Sequence, residues 1–208
     1  MSPSKRELAE LIYDYAERIF LTILGFSIII RFLPSIGRHP VDAILLVSEL
    51  AAVAMIVIRK RATTGIDLSA QAILVALVGT TGGLLVQPGG GSGLIPEWLA
   101  AAVMVTGGLL NIAAKVALNR SFGLTAANRG VKRSGPYRLM RHPMYAGYIT
   151  TQIGFLLANP TAWNLTLYAI AWTAQILRIR AEERVLSKDA AYQAYAAAVP
   201  FRLAPGVY

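Results

Sequence analysis

The side chains best suited to chemistry are gathered in two short stretches of the C-terminal half of the chain. The first, residues 135–147, reads GPYRLMRHPMYAG and brings together two arginines, one histidine and two tyrosines. Pro143 fits the first turn of a helix, where its missing N–H breaks no hydrogen bond. A helix start beside an arginine such as Arg141 is a ready site for an anion or a carboxylate. On helical spacing, His142 and Tyr145 point into the same region as that helix start.

The second stretch, residues 178–186, reads RIRAEERVL and follows the last long apolar run. Its simplest interpretation is a solvated helix at the membrane surface, in which Arg178 and Glu182 form an i,i+4 pair worth about 0.3 kcal/mol. The alternative is that its carboxylates face the arginines of the first stretch. That arrangement would suit a zwitterionic ligand carrying both an amine and a carboxylate.

The apolar run between the two stretches favours the second interpretation. Residues 143–177 are too long for one ordinary membrane span. Asn159-Pro160, a turn signal, divides the run near its middle and predicts a helical hairpin. Because the legs of a hairpin are antiparallel, their inner ends are neighbours. The two charged stretches are therefore expected to meet at one membrane surface.

The elements that must position this site are also apolar. The chain of 208 residues is 55% hydrophobic and only 15% charged, whereas soluble domains are about 25% charged. A span of ~30 Å of hydrocarbon takes about 20 helical residues. Four runs of suitable length precede the hairpin, at residues 19–33, 41–58, 69–86 and 94–118. The sequence thus predicts an all-α, polytopic transmembrane helical bundle of five to six spans, with a C-terminal hairpin and a cytoplasmic pocket.

The net charge is +9, and the distribution of the basic residues along the chain indicates how it is oriented in a membrane. The basic residues follow alternate apolar runs, which predicts a multi-pass protein with both termini in the cytoplasm. This placement argues for the lipid bilayer, and against nucleic acid, as the partner of the positive charge. Residues 4–18 predict an amphipathic helix at the interface. We expect two regions: residues 1–118 with this helix and four spans, and residues 119–208 with the site.

Composition excludes several other kinds of site. The absence of cysteine rules out disulfides and thiolate metal sites, and two histidines cannot by themselves form a catalytic zinc site, so no metal is predicted. The glycine-rich residues 89–93 lack the Lys-Ser/Thr of a nucleotide loop and predict a flexible turn. Glu49 and Lys115 lie inside apolar runs, where a structural contact between them is as good an interpretation as a functional role.

A series of residues in the C-terminal part stands in a recognisable order. It consists of Gly135-Pro136-Tyr137, Arg141-His142-Pro143, Tyr145, Gly147, Asn159-Pro160, Arg178, Glu182-Glu183, Leu186, Tyr192, Tyr195 and Val199-Pro200. In this order the chain resembles the isoprenylcysteine carboxyl methyltransferase and phospholipid methyltransferase families of integral membrane enzymes. No such motif is identified in the first four apolar runs, and residues 119–134 match loosely.

The resemblance implies S-adenosyl-L-methionine as methyl donor and a lipophilic acceptor that enters from the bilayer. It implies that Arg178 orients an acceptor carboxylate, and we take Arg178 and Glu183 as candidate catalytic residues. The candidate cofactor-binding residues are Tyr137, Arg141, His142, Pro143, Tyr145, Gly147, Glu182 and Glu183.

The acceptor stays open at this point. The resemblance favours a prenylcysteine-type carboxylate, which is already a nucleophile and which an arginine can hold by a bidentate contact. A phospholipid amine would need a base, such as Glu183 or Tyr145; a small thiol is a further alternative. Two rivals are an NADPH-dependent membrane reductase of the sterol type and a transporter or scaffold without enzymatic activity, although no internal repeat is visible. The sequence indicates no oligomeric state.

Overall fold

The computed structural model describes residues 4–58, 69–89, 92–118, 131 and 133–206. Within these residues the chain is helical and contains no strand, which confirms the all-α class. Short 3₁₀ turns at Gly83–Leu85 and Gly135–Arg138 accompany seven α-helices in the described part. The helices are α1 (Lys5–Phe32), α2 (Pro40–Ile58), α3 (Ala70–Thr81), α4 (Glu97–Leu118), α5 (Pro143–Ala158), α6 (Ala162–Leu186) and α7 (Ala190–Ala198).

Helices α5 and α6 form the predicted hairpin, and its turn falls at Asn159-Pro160. The Thr161 side chain caps α6 by accepting a hydrogen bond from the Asn164 backbone N–H at 3.0 Å. The buried Asn164 amide binds both backbone groups of Gln87, each at 2.9 Å. The side-chain oxygen of Asn159 accepts a hydrogen bond from the Gly89 N–H at 2.8 Å. These contacts anchor the hairpin turn to the connection between α3 and α4.

Helices α4 and α5 approach each other closely at positions occupied by glycine. A Cβ on Gly147 would lie 2.7 Å from the backbone nitrogen of Asn111, and one on Gly107 would lie 2.6 Å from the backbone nitrogen of Thr151. Small residues allow this kind of approach between helix backbones. The start of α5, which carries the histidine and tyrosine of the first charged stretch, is thereby held against α4.

Two clusters of buried side chains fill the interior. The larger cluster joins α1, α2, α4, α5 and α6, and at its centre the Phe155 ring lies 5.8 Å from Phe32 and 6.4 Å from Tyr168 between centroids. The smaller cluster joins Ala114 of α4 to Tyr192 and neighbouring side chains near the C-terminus. Packing therefore links residues on both sides of residue 118. The division of the chain into residues 1–118 and residues 119–208 stays a prediction.

In the described part of the chain one helix, α4, is long and apolar enough to cross a membrane by itself. Helix α3 has 12 residues and so covers about 18 Å, less than the ~30 Å of a hydrocarbon core. The predicted run to residue 86 is not one α-helix, since α3 ends at Thr81 and a 3₁₀ turn follows at Gly83–Leu85. A Cβ at Gly82 or Gly83 would overlap Ala171 or Glu49, so the chain passes close to both residues there.

The count of five to six spans and the cytoplasmic termini stay predictions. Basic residues 59–61 and most of the loosely matching segment, residues 119–130 and 132, lie outside the described residues. Large apolar side chains are nevertheless exposed along the helices: Ile30 of α1 is 73% exposed and Val116 of α4 is 74% exposed. An extended apolar surface of this kind is expected of a protein that contacts lipid.

Candidate active site

Glu183 of α6 is the centre of the candidate site. Its Oε1 lies 2.9 Å from Nη1 of Arg141, which belongs to the loop before α5. Its Oε2 lies 2.6 Å from Nε of Arg202, which belongs to the C-terminal tail. The Nε2 of His142 lies 3.3 Å from Oε1, and the Tyr192 hydroxyl donates to the same oxygen at 3.4 Å. The structure thus brings together the two charged stretches, as the hairpin predicted.

These partners give Glu183 an unusual acidity. Burial raises the pKa of its carboxyl, and hydrogen bonds from His142 and Arg202 lower it. The charges on His142 and Arg141 lower it further, and the resulting pKa is about 2. Such a carboxylate stays ionised at neutral pH and is a poor proton acceptor. Its geometry suits holding the surrounding cations in place, and a catalytic role for it stays a prediction.

Glu182, the neighbouring carboxylate, makes a close hydrogen bond through one of its two oxygens within the described residues. The Tyr145 hydroxyl donates to its Oε1 at 2.5 Å. Its Oε2 lies 3.7 Å from Nδ1 of His142, too far for a good hydrogen bond. The side chain is 21% exposed, against 12% for Glu183. Among the described residues, this leaves Oε2 able to accept a hydrogen bond from a ligand.

The C-terminal tail closes over the first charged stretch. The backbone N–H of Arg141 donates to the Phe201 carbonyl at 2.9 Å, and that of His142 donates to the Arg202 carbonyl at 2.8 Å. A further bond joins Nη2 of Arg141 to the Pro200 carbonyl at 3.0 Å. The tail therefore fixes the backbone from which the His142 side chain projects. Sequence reasoning missed Arg202, because an irregular, proline-containing tail has no periodicity from which its contacts can be predicted.

Two buried tyrosines, Tyr137 and Tyr195, hold the loop before α5 in place. The Tyr195 hydroxyl donates to the Tyr137 carbonyl at 2.8 Å, and the two rings are almost fully buried. Burial and the neighbouring Tyr192 raise the pKa of Tyr195 to about 12, so its hydroxyl remains a donor at neutral pH. Tyr137 thus holds the loop through its backbone. A cofactor contact by its side chain stays a prediction.

Two other candidate residues, Pro143 and Gly147, have structural positions in α5. Pro143 is the first residue of α5, as predicted, and follows His142 at the N-cap position. Gly147 faces α4, where its lack of a side chain permits the close helix contact described above. The structure therefore gives Gly147 a packing role, and its predicted cofactor contact is untested.

A polar cavity of about 50 Å³ lies beside Tyr145. The guanidinium carbon of Arg178 lies 5.4 Å from the Tyr145 ring centroid and lines this cavity. Tyr145 therefore contacts both Glu182 and Arg178: its hydroxyl binds Glu182, and its ring lies beside Arg178. The remaining lining comes from α2, α3, α5 and α6 and consists of Glu49, Ala52, Gly79, Thr80, Met144, Tyr148, Gln152 and Gln175. Of these, sequence reasoning had noted Glu49 alone, as an ionisable residue inside an apolar run.

Comparison with known proteins supports the resemblance on which the site was predicted. The family model described as phospholipid methyltransferase matches residues 96–193. Comparisons with curated proteins and with solved structures gave no match. The matched segment reaches back through α4, where the sequence analysis identified no family motif, and it ends before Tyr195. This match over residues 96–193 confirms the resemblance to the phospholipid methyltransferase family and supports a membrane methyltransferase in general terms.

Proposed function

We propose that the chain is an S-adenosyl-L-methionine-dependent methyltransferase that acts on a lipophilic acceptor in the membrane. The observation that carries this proposal is the meeting of Arg141 and His142 with Glu182 and Glu183, near the partly buried Arg178. All five residues lie inside the segment that matches the phospholipid methyltransferase family.

The donor set fits the amino-acid part of S-adenosyl-L-methionine, which carries an ammonium and a carboxylate. The open Oε2 of Glu182 can accept a hydrogen bond from an ammonium. Arg202, whose side chain is 37% exposed, can donate to a carboxylate. When bound, the cofactor supplies a methyl group activated on a sulfonium. The chain's own residues hold it in line with the acceptor and keep water away, which is where most of the rate gain of such a reaction is expected.

A lipophilic acceptor is supported by an apolar groove of about 890 Å³ between α2 and α4. Its walls carry exposed apolar side chains such as Val47 and Leu109. Lys115 lines the groove, and its Nζ lies 5.1 Å from the ring centroid of Tyr148, which lines the polar cavity. The Lys115–Tyr148 contact therefore joins the lining of the groove to the lining of the cavity. A hydrocarbon chain in the groove would place its head group towards Arg178.

The presence of Arg178 favours an acceptor that carries an anionic group, because guanidinium groups bind carboxylate and phosphate through paired hydrogen bonds. The prenylcysteine-type carboxylate favoured by the resemblance meets this requirement. A phospholipid amine is the second candidate, because its phosphate meets the same requirement and Glu49 adds a carboxylate to the cavity. No contact in the described cavity specifically favours a small thiol.

The test is methyl transfer by the purified chain in lipid vesicles, measured as labelled methyl groups recovered in organic extract. The acceptors are N-acetyl-S-farnesylcysteine, phosphatidylethanolamine and a short alkyl thiol. We expect transfer to a lipophilic acceptor, and its loss in Arg178→Ala. Arg180→Ala is the matched control, since Arg180 is an exposed arginine two residues along the same helix.

Two outcomes would overturn the proposal. Oxidation of NADPH without methyl transfer would favour a sterol-type reductase. Absence of both activities, with no binding of S-adenosyl-L-methionine, would favour a transporter or scaffold.

A further inference from the structure

The N-terminal half of α1 turns acidic side chains towards the interior of the protein. Asp14 is 4% exposed and Glu17 is 5% exposed, and on helical spacing they share a face with the fully buried Leu21. The apolar side chains of Ile12 and Ile19, on the same helix, are each 60% exposed. The polarity of this helix is therefore the reverse of that expected on a soluble protein, since its carboxylates lie inside and its apolar side chains outside.

An ion pair within α1 compensates Asp14 and fixes the place of the helix. The Nε of Arg18 lies 2.9 Å from Oδ2 of Asp14, and Nη1 of Arg18 donates to the Val57 carbonyl in the last turn of α2. Val57 lies about 8 Å along α2 from Ala52, which lines the polar cavity. The turn of α1 that carries Glu17 is thus held against the C-terminal end of α2, close to the cavity.

The buried carboxylate of Glu17 acts on Arg178 of α6. Its negative charge interacts with the Arg178 guanidinium, as the charge of Glu182 also does. A carboxylate buried to this degree is costly by itself, and the cost falls when a cation lies opposite it. The interaction between Glu17 and Arg178 therefore connects α1, which lies outside the family match, to the candidate site.

Uncharged neighbours of the Arg178 guanidinium restrict its position. Its carbon lies 5.4 Å from the Tyr145 ring centroid, and a Cβ on Gly79 would lie 3.8 Å from its Nη1. A carboxylate adds a direction, because the N–H groups of a guanidinium point towards it. Of the two carboxylates that act on Arg178, Glu182 accepts from Tyr145 through Oε1 and is assigned to the cofactor ammonium through Oε2. Glu17 is the carboxylate to which the proposed function gives no other task.

We propose that Glu17 is a positioning residue for Arg178, whose guanidinium its carboxylate holds in the orientation that meets the acceptor. A guanidinium has enough N–H donors to serve a carboxylate on one side and a ligand on the other. The N-terminal helix is then a part of the site and not only a contact with the membrane. The inference rests on the proposed function, in which Arg178 binds an anionic group of the acceptor.

The experiment measures how strongly the chain prefers an anionic amphiphile over its neutral counterpart. One probe pair is N-acetyl-S-farnesylcysteine and its methyl ester, and the other is lysophosphatidic acid and monoacylglycerol. Binding is measured by thermal-shift titration of the purified full chain in detergent, without a methyl donor. We expect wild type to prefer the anionic member of at least one pair by roughly 10-fold or more.

Neutralising Glu17 should remove this preference. Glu17→Gln should reduce it by roughly 10-fold and leave the binding of the neutral amphiphile and of S-adenosyl-L-methionine unchanged. Glu17→Asp keeps the charge on a shorter side chain and should reduce it by only about 3-fold. In Arg178→Ala, the addition of Glu17→Gln should have no further effect, because Glu17 acts through Arg178. Glu10→Gln is the matched control, since Glu10 lies on the same helix about 10 Å from Glu17, and it should keep the wild-type preference.

Several results would overturn the proposal. An undiminished preference in Glu17→Gln would do so, and an increased one would show that Glu17 competes with the acceptor for Arg178. An equal loss of binding to the neutral amphiphile and to S-adenosyl-L-methionine would assign Glu17 a purely structural role. If Glu17→Gln does not fold, an undiminished preference in Glu17→Asp overturns the proposal in its place.

A wild-type chain that prefers neither anionic probe would also overturn it. Binding of S-adenosyl-L-methionine by wild type, measured in parallel, then separates the two failures. Without that binding the proposed function itself is wrong, and with it only the roles of Glu17 and Arg178 in binding the acceptor are wrong.

Discussion

Replacing Glu183 by glutamine should destabilise the candidate site more than any other single change to a carboxylate in it. Glutamine keeps the size of the side chain but removes the charge that faces Arg141 and Arg202. Both guanidinium groups would then lie close together without a counter-charge. Because this carboxylate joins the loop before α5, α6 and the tail, we expect the loss to appear in the stability of the whole chain.

The magnitude follows from the acidity of the carboxyl. Its pKa is about 2, against an ordinary value of 4.5. At about 1.4 kcal/mol per pKa unit, this difference corresponds to roughly 3 kcal/mol of favourable interaction for the charged form. Solvent reaches part of the site and screens the charges, as the 37% exposure of Arg202 indicates. We therefore expect Glu183→Gln to lower the free energy of unfolding by about 2 kcal/mol at neutral pH.

The same difference fixes the dependence on pH. Since the pKa of Glu183 is lower in the folded chain than in the unfolded one, its contribution is complete above about pH 4.5 and is lost as the pH falls towards 2. Wild type should thus lose about 2 kcal/mol relative to Glu183→Gln across that window, and the two stabilities should converge at its acid end.

The assay is equilibrium denaturation in a mild detergent at several pH values, followed by tryptophan fluorescence. Glu97→Gln is the control, since the Glu97 side chain is 37% exposed and pairs with His39, itself half exposed, at 3.4 Å. It should change stability by less than about 1 kcal/mol. A Glu183→Gln protein as stable as wild type at neutral pH, or a gap between the two that does not close in acid, would refute the reasoning.

Other predictions concern the packing that holds the site. Gly147→Ala should lower the free energy of unfolding by about 1–3 kcal/mol, because the new Cβ would lie 2.7 Å from backbone atoms of α4. Gly108→Ala is its control in the same denaturation assay and should be nearly neutral, because no atom lies within 4 Å of the new Cβ. Asn164→Ala should lower the free energy of unfolding by about 2–4 kcal/mol, because the fully buried Asn164 amide makes both hydrogen bonds to the Gln87 backbone. Thr166→Ala is its control, since that hydroxyl bonds only within its own helix, and a similar cost for the two would contradict the anchoring role of Asn164.

The hairpin and the meeting of the charged stretches could be predicted from sequence because both depend on local signals. The Asn159-Pro160 pair marks the turn by its own backbone preferences, and antiparallel legs then bring the two charged stretches close together. The positions of His142, Glu182 and Glu183 follow from that topology alone. For this reason the proximity of these residues could be predicted without knowledge of the tertiary structure, while their roles stay predictions.

The tail and the cavity could not be predicted in the same way. Arg202 reaches Glu183 through an irregular segment, whose course depends on contacts with the loop before α5 and not on any repeating pattern. The cavity joins Glu49 of α2 to Gln175 and Arg178 of α6, two helices far apart in the chain. The early end of α3 was also missed, because the apolar run continues through Val86 and gives no signal of a break at Thr81.

The most direct test of the central claim is equilibrium binding of labelled S-adenosyl-L-methionine to the purified chain. The account predicts saturable binding that the demethylated product displaces and NADPH does not. It further predicts that His142→Ala weakens this binding while Arg180→Ala, on the exposed face of α6, leaves it unchanged. Absence of binding to wild type, or binding of NADPH in its place, would contradict the assignment of this site to methyl transfer.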